Sequence, residues 1–529
     1  MTIITLSNAS GNPYIDGLTL EPGFPTPVIY TPGSSITYFF DTDQRAWSDL
    51  EQGAVTSAWE AWDRLINLNI EETNDRSAAT VLMQISDLGP DTLAQATLPG
   101  DFQGNNKTNL NALNDIDFGG DSYVTLLHEI GHNLGIMHPH DATTFPGVGV
   151  SEDQNMGDLN MNQNIWTVMS YVVGYEREPV TGKVFGGAMT PMTLDIAAAQ
   201  FAYGAAESNT GDDTYSITTQ NAVGTGWTAI WDTGGTDTIS AEGATGATTI
   251  DLRAATLEGS SPGGHVSWMD GIQGGYTIAN GVIVENVIGG NGIDTVIGNQ
   301  ANNIITGLNG NDSLDGGAGQ DTATYAGSRS DYLVLNASTG KTLVVDIVAG
   351  RDGKDSLQNV ENIRFGTEAL TLAAALVEPA DSDNSAFQVY RFYNTETGSH
   401  FFTTSIAERN SVVETLDVLS FEGNAFDSNV TEANGTAVFR FYNKDNGVHF
   451  YTAAAEEAAS LRLNAGFKDE GISYYAANDD SNGGTALYRF YNTQNDSHFY
   501  TVSEAERDNI INTIGHYKYE DVAFYVDAA

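Results

Sequence analysis

The sequence predicts a multidomain protein of three parts. These are an α+β domain over residues 1–205, a parallel β-roll over 206–377, and an all-β, pseudo-threefold, trefoil-like domain over 387–529. A polar stretch at 378–386 reads as a linker. Three observations carry this: a histidine-rich motif at helical spacing (128–138), a nine-residue glycine–aspartate period (289–324), and a segment repeated every 49 residues, as in Arg391, Arg440 and Arg489.

Composition narrows the classes. The 529 residues hold 69 acidic against 21 basic side chains, a formal net charge of −48. Such a surface repels nucleic acid and anionic membrane. It suits solubility in salt or loading with cations, and calcium, which takes many oxygen ligands, is the natural one. With no cysteine there is neither a disulfide nor a cysteine switch. The stretch Met1–Leu6 lacks the basic region and cleavage site of a signal peptide. No apolar run approaches the ~18 residues of a membrane helix. Any export is therefore expected to use information elsewhere in the chain, and a monomer without a membrane span is expected.

In the first part, Ile36–Phe40 and Thr80–Ile85 read as strands. Ser48-Asp49-Leu50-Glu51 is a capping-box pattern. After it Val55, Ala58, Trp59, Trp62, Leu65 and Ile66 recur at helical spacing, so a long helix with one buried face is predicted. Further along lies His128-Glu129-Ile130-Gly131-His132-Asn133-Leu134-Gly135-Ile136-Met137-His138. Residues four apart share a helix face, so His128 and His132 project together. Gly135 can adopt a left-handed conformation, end the helix and turn the chain. That turn carries His138 back towards the first two rings, and Pro139 discourages further helix. Three neutral imidazoles leave one position of a zinc ion open, as catalysis requires. Glu129 is placed to take a proton from a water at that position and pass it to a leaving amine.

Together with Trp166-Thr167-Val168-Met169-Ser170-Tyr171, this motif resembles the metzincin metallopeptidases, and among them the serralysin type. The resemblance implies one catalytic zinc on His128, His132 and His138, a methionine turn at Met169 beneath it, and endopeptidase activity on extracellular protein or peptide substrates. It also implies that Tyr171 is a switchable zinc ligand that swings away to hydrogen-bond the oxyanion, that the strands join a twisted sheet whose edge strand, Leu93–Leu98, could pair with an extended substrate by strand addition, and that Thr193–Tyr203 is the helix closing the catalytic domain. His140 adds a fourth histidine to the cluster and is expected to be a supporting or solvent-facing group, since the family needs three. Tyr14–Leu18 resembles the opening of the family's catalytic domain, which leaves control by a pro-segment open.

The glycine–aspartate period is similar to the calcium-binding RTX repeat. Its units place Gly289, Asn291 and Asp294; Gly298, Gln300 and Asn303; Gly307, Asn309 and Asp312; and Gly316, Ala318 and Asp321 in equivalent positions. The resemblance makes these the ligands of several structural calcium ions, with Val296, Ile305, Leu314 and Ala323 packed inside the roll. Asp232–Thr238 is similar to an earlier calcium turn built on Asp237, and Glu285 is a further candidate ligand. Extracellular sites of this kind bind calcium at roughly 10⁻⁴–10⁻³ M. Such a domain is expected to stay unfolded inside the cell and fold once outside, which fits export by type I secretion machinery.

Beyond the linker, Tyr390-Arg391-Phe392-Tyr393-Asn394 and His400-Phe401-Phe402-Thr403 each recur twice, and Phe426, Tyr474 and Phe524 close the units. A β-trefoil is expected first and a small propeller second. The aromatics read as core, and His400, His449 and His498 as turn-holding groups rather than metal ligands. These repeats resemble modules attached to secreted bacterial hydrolases, which implies a glycan or cell-wall ligand. The expectation is thus a secreted zinc endopeptidase with a calcium roll and a binding module. The alternative is a calcium-dependent adhesin or glycan binder whose protease domain is incidental or inactive.

Overall fold

In the computed structural model, the structure describes residues 3–6, 8–19, 28–89, 91–100, 103–109, 113–141, 144–174, 184–377, 388–428, 432, 434–477 and 484–528. The linker expected at 378–386 lies outside them. The chain divides into two compact units, 1–324 with 358–362, and 325–357 with 363–529.

The first unit opens with a five-stranded sheet and four helices. Helix α1 (Pro13–Thr19) precedes strand β1 (Ser35–Asp41) and helix α2 (Asp49–Asp63). Strands β2 (Asn69–Glu72), β3 (Val81–Ser86), β4 (Ala94–Ala96) and β5 (Gly104–Asn109) follow. Helices α3 (Asp121–Asn133) and α4 (Thr193–Tyr203) complete it. The sheet order is β2-β1-β3-β5-β4. All neighbours are parallel except β4, which runs antiparallel to β5 at the edge.

Capping explains where α2 begins. Ser48 accepts from the Glu51 N–H while the Glu51 carboxylate accepts from the Ser48 N–H at 2.8 Å. The buried face of α2 carries Val55, Trp59 and Trp62. Trp62 Nε1 donates to the Leu127 carbonyl at 3.1 Å, which docks α2 on α3.

From Thr214 the chain winds as a roll. Thr214–Ser216, Thr238–Ser240, Asn286–Ile288, Ile304–Thr306 and Thr322–Tyr325 form one parallel stack. Thr248–Asp251, Thr295–Ile297 and Ser313–Asp315 form a second. In the repeats each turn of the roll takes two nine-residue units, so Val296 stands beside Leu314 and Ile305 beside Ala323. All four side chains are buried. The chain is thus a mixed α/β protein with many parallel strands, in a form compatible with a β-roll.

The second unit begins with an antiparallel group, Tyr332–Asn336, Thr342–Asp346 and Lys354–Gln358. The 49-residue repeats follow, and here the all-β expectation is corrected. Each repeat is strand–strand–helix–strand, with helices at Ile406–Thr415, Ala455–Leu463 and Glu504–Thr513. The cause is local. Ser405 and Ser503 cap the first turns by accepting from the Glu408 and Glu506 N–H groups. The shared core takes equivalent residues from each repeat: Val389, Val438 and Leu487; Phe402, Tyr451 and Tyr500; Phe426, Tyr474 and Phe524.

Candidate metal centre

Helix α3 presents His128 and His132 on one face. Beyond Leu134, Gly135 takes φ +86°, and the Ile136 N–H bonds back to the Gly131 carbonyl at 2.9 Å. The Met137 N–H then bonds the Leu18 carbonyl of α1 at 2.8 Å. This turn brings His138 to the other two. Its Nε2 stands 3.0 Å from Nε2 of both His128 and His132.

The second nitrogen of each ring faces an acceptor. His128 Nδ1 meets the Val168 carbonyl at 2.8 Å, His132 Nδ1 the Ile136 carbonyl at 2.8 Å, and His138 Nδ1 the Asp141 carboxylate at 2.7 Å. Those partners require N–H at Nδ1 and leave a lone pair at each Nε2. Three lone pairs converging on one point repel unless a cation lies among them. Burial, then the neighbouring rings, hold His128 well below the usual imidazole range, and burial first among causes pushes His132 down to about 3. Neutral rings of this kind fit zinc, with room left for water and substrate.

Glu129 lies beside this point, and its Oε2 is buried without a hydrogen-bond partner. Burial pushes its carboxyl up to about 8, opposed by the Ala96 N–H of edge strand β4. Tyr171 is 45% exposed, and its ring stands 4.9 Å from His138 and 5.5 Å from His128. Burial, then the Glu129 charge, raise its phenol above the ordinary value. A cavity of about 550 Å³ opens here, lined by His128, Glu129, Val124, Val168, Tyr171 and Leu93. The cavity thus presents a carboxylate, a phenol and the ring of His128 together.

Met169 is fully buried beneath α3. Its sulfur would lie 2.7 Å from a Cβ at Gly131. Two supports escaped the sequence reading. Asp195 of α4 accepts from Thr167 Oγ1 at 2.6 Å, the Val168 N–H at 2.7 Å and the Met192 N–H at 2.8 Å. It thereby fixes the turn whose Val168 carbonyl orients His128. Asp141 does the same for His138. Asp141 meets its partner three residues away, within the turn itself, whereas the partners of Asp195 on the Thr167–Val168 turn are set by the tertiary fold.

The repeat carboxylates line up inside the roll. Asp294 accepts from the Thr248 N–H at 2.8 Å and the Gly290 N–H at 2.6 Å, and its own N–H donates to Asp312 at 2.8 Å. On the opposite side the Asn303 N–H donates to Asp321 at 2.7 Å, whose Oδ2 is buried with no hydrogen-bond partner. The backbones of Gly289, Gly298, Gly307 and Gly316 are packed so closely that an added Cβ would meet a neighbouring backbone carbonyl or the unit's own Asp or Asn side chain under 3.0 Å away. Asn291, Gln300 and Ala318 are exposed, and Asn309 is half-buried. Asp237 lies with Asp213 and Asp232 in one group whose oxygens fall within 4.8 Å of one another, and the Glu285 carboxylate accepts the Asp237 N–H at 2.8 Å. Asp213 was not anticipated. Burial, then the neighbouring carboxylates, push Asp237 up to about 6.

The three repeated histidines do not hold turns. His400, His449 and His498 each point Nε2 at a glutamate, Glu422, Glu470 and Glu520, at 3.5, 3.3 and 3.3 Å. The same glutamates pair with Arg391, Arg440 and Arg489 at 2.8, 3.0 and 2.9 Å. Among the described residues these histidines join no cluster of metal-ligating side chains.

Comparison with known proteins gives two family matches. Residues 193–418 match the family described as Peptidase M10 serralysin C terminal, and residues 388–527 match one described as Domain of unknown function (DUF5648). The serralysin of Photorhabdus laumondii subsp. laumondii is 32% identical over 270 residues, covering 47% of this chain and 53% of that protein. That of Photorhabdus luminescens is 32% identical over 269 residues, covering 47% and 52%. That of Proteus mirabilis is 30% identical over 283 residues, covering 47% and 54%. The chain spans about half the length of the curated relatives it matches.

Proposed function

We propose, from the premise that this is a serralysin-type metallopeptidase chain with RTX repeats, that it is a secreted zinc-dependent endopeptidase cleaving extracellular proteins. The observation that carries the reading is the meeting of three Nε2 lone pairs beside a buried carboxylate in an open cleft.

Zinc held by His128, His132 and His138 supplies Lewis acidity that makes water a nucleophile at neutral pH. The protein's own groups do the rest. Edge strand β4 offers main-chain groups to an extended substrate and sets the scissile bond in the cleft. Glu129 takes the proton of the attacking water and returns it to the leaving amine. Tyr171 donates its hydroxyl to the oxyanion. Asp141 and the Val168 carbonyl hold His138 and His128 in the tautomer that leaves Nε2 free.

In this reading residues 1–205 form a metzincin-type catalytic domain and 206–377 a calcium-loaded roll that folds after type I export. Residues 387–529 form a pseudo-threefold docking module for glycan or cell wall. Casein cleavage by the calcium-loaded protein tests the enzyme claim. Cleavage is expected to vanish with o-phenanthroline and return with zinc; chelator-insensitive cleavage refutes it. Retention of the full chain on cell-wall polysaccharide, lost on deletion of 387–529, tests the module. No helix among the described residues is long and apolar enough to cross a membrane.

A further inference from the structure

His140 is the one histidine of the cluster that the proposed mechanism leaves without work, and its surroundings are particular. The side chain is buried, and its ring stacks on His138 at 4.7 Å with planes 14° apart. Its Nδ1 is buried without a hydrogen-bond partner. An orphaned imidazole nitrogen costs desolvation with no return unless something binds it. Beside it stands Asp141, which uses one carboxylate oxygen on His138 Nδ1 at 2.7 Å. Donor atoms of His138, His140 and Asp141 fall within 4.8 Å of one another, a span a single ion can bridge. Tyr171 borders the same spot, with its ring 4.8 Å from that of His140.

We propose that His140 and Asp141 form a second cation site against the outer edge of His138, filled by a borderline transition-metal ion such as zinc in excess, and that filling it inhibits cleavage. The donor set of one imidazole and one carboxylate, completed by water, suits zinc, copper or nickel over calcium or magnesium. With two protein donors it binds more weakly than the three-histidine point. An ion here draws Asp141 off His138 Nδ1 and crowds the arc through which Tyr171 reaches the oxyanion. The inference rests on the reading that the three Nε2 atoms hold the catalytic ion.

The test is zinc binding by the full chain, stripped of metal and then saturated with calcium so that the roll is filled. Equilibrium dialysis against rising zinc is expected to show two ions per wild-type chain, one tight and one weak. His140→Phe, which keeps the ring stack without a donor, and His140→Gln are each expected to bind one. His128→Ala is expected to keep the weak ion and lose it when His140→Phe is added. Inhibition of casein cleavage by excess zinc is expected in the wild type and at least tenfold weaker in His140→Phe. A wild type that binds one zinc, or a His140→Phe chain that still binds two, overturns the second site while leaving the catalytic reading intact. A wild type that binds none overturns both.

Discussion

Glu129 shows how much one side chain's setting decides. Its carboxyl, left alone in that burial, titrates near 8 and would be largely protonated at neutral pH. A base must be ionised, and a divalent cation at the neighbouring rings favours the carboxylate. Glu129→Gln keeps shape and burial but cannot accept a proton. Its kcat is expected to fall about 10²–10⁴-fold with zinc content unchanged by elemental analysis; a variant that keeps its rate refutes the assignment. Tyr171→Phe removes one oxyanion donor, and kcat is expected to fall about 10²–10³-fold with KM little changed. The three rings and Glu129 were legible in the sequence because their geometry follows from local spacing, whereas Met169 and Tyr171 were expected only through the family resemblance. Asp195 was not, because it acts on Thr167 and Val168 from 28 and 27 residues away, and nothing in its own neighbourhood marks it.

Elements were legible where a local device defines them and obscure where a partner does. The capping box at Ser48 and the glycine after α3 both announce helix ends, and the helices end there. In the repeats a serine–glutamate cap was present in the first and third units, at Ser405 and Ser503, with Ala454 in that place in the second, yet the aromatic stripes drew the reading towards strands alone. Packing between elements adds a tighter constraint. At Gly131 a Cβ would meet Met169 Sδ at 2.7 Å and Trp62 Cζ2 at 3.2 Å. That close approach lets α3 lie on the methionine turn. Gly131→Ala gains helix propensity but must push that turn away. Overpacking of this kind costs about 1–3 kcal/mol, more than the roughly 1 kcal/mol that alanine returns over glycine. The calcium-loaded variant is expected to melt earlier by calorimetry and to hold zinc less tightly; an unchanged melting temperature counts against the close packing. In the C-terminal core, Tyr500 Oη donates to the Tyr451 carbonyl at 3.0 Å and Tyr451 Oη to the Phe402 carbonyl at 3.0 Å. The third member of the ring is Phe402, which has no hydroxyl to pass on. Phe402→Tyr supplies it, and where it reaches the Tyr500 backbone a gain of about 0.5–1.5 kcal/mol is expected, read from denaturant midpoints.

At the scale of the whole molecule, charge governs. A net −48 spread over 529 residues is self-repelling, and the roll concentrates part of it. Asp237 is the clearest reporter. Its folded, calcium-free carboxyl titrates near 6, raised from 3.8 by burial and then by Asp232, Glu285 and Asp213. Because the folded value lies above the unfolded one, this group's contribution to stability is fully present below about pH 3.8 and is lost as pH rises through about 6. Asp321, also raised by burial and by Glu361, moves in the same sense. Calcium bound there as proposed would need the ionised form, and so would restore at neutral pH what ionisation removes. The rise in melting temperature on adding calcium is therefore expected to be large at about pH 8 and much smaller at about pH 5, while the calcium-free roll gains stability on mild acidification. Scanning calorimetry at both pH values, with calcium or with a chelator, measures each arm. A calcium shift equal at the two pH values, or a calcium-free protein that grows more stable from about pH 5 to about pH 8, would show that these carboxylates are not what the ion neutralises.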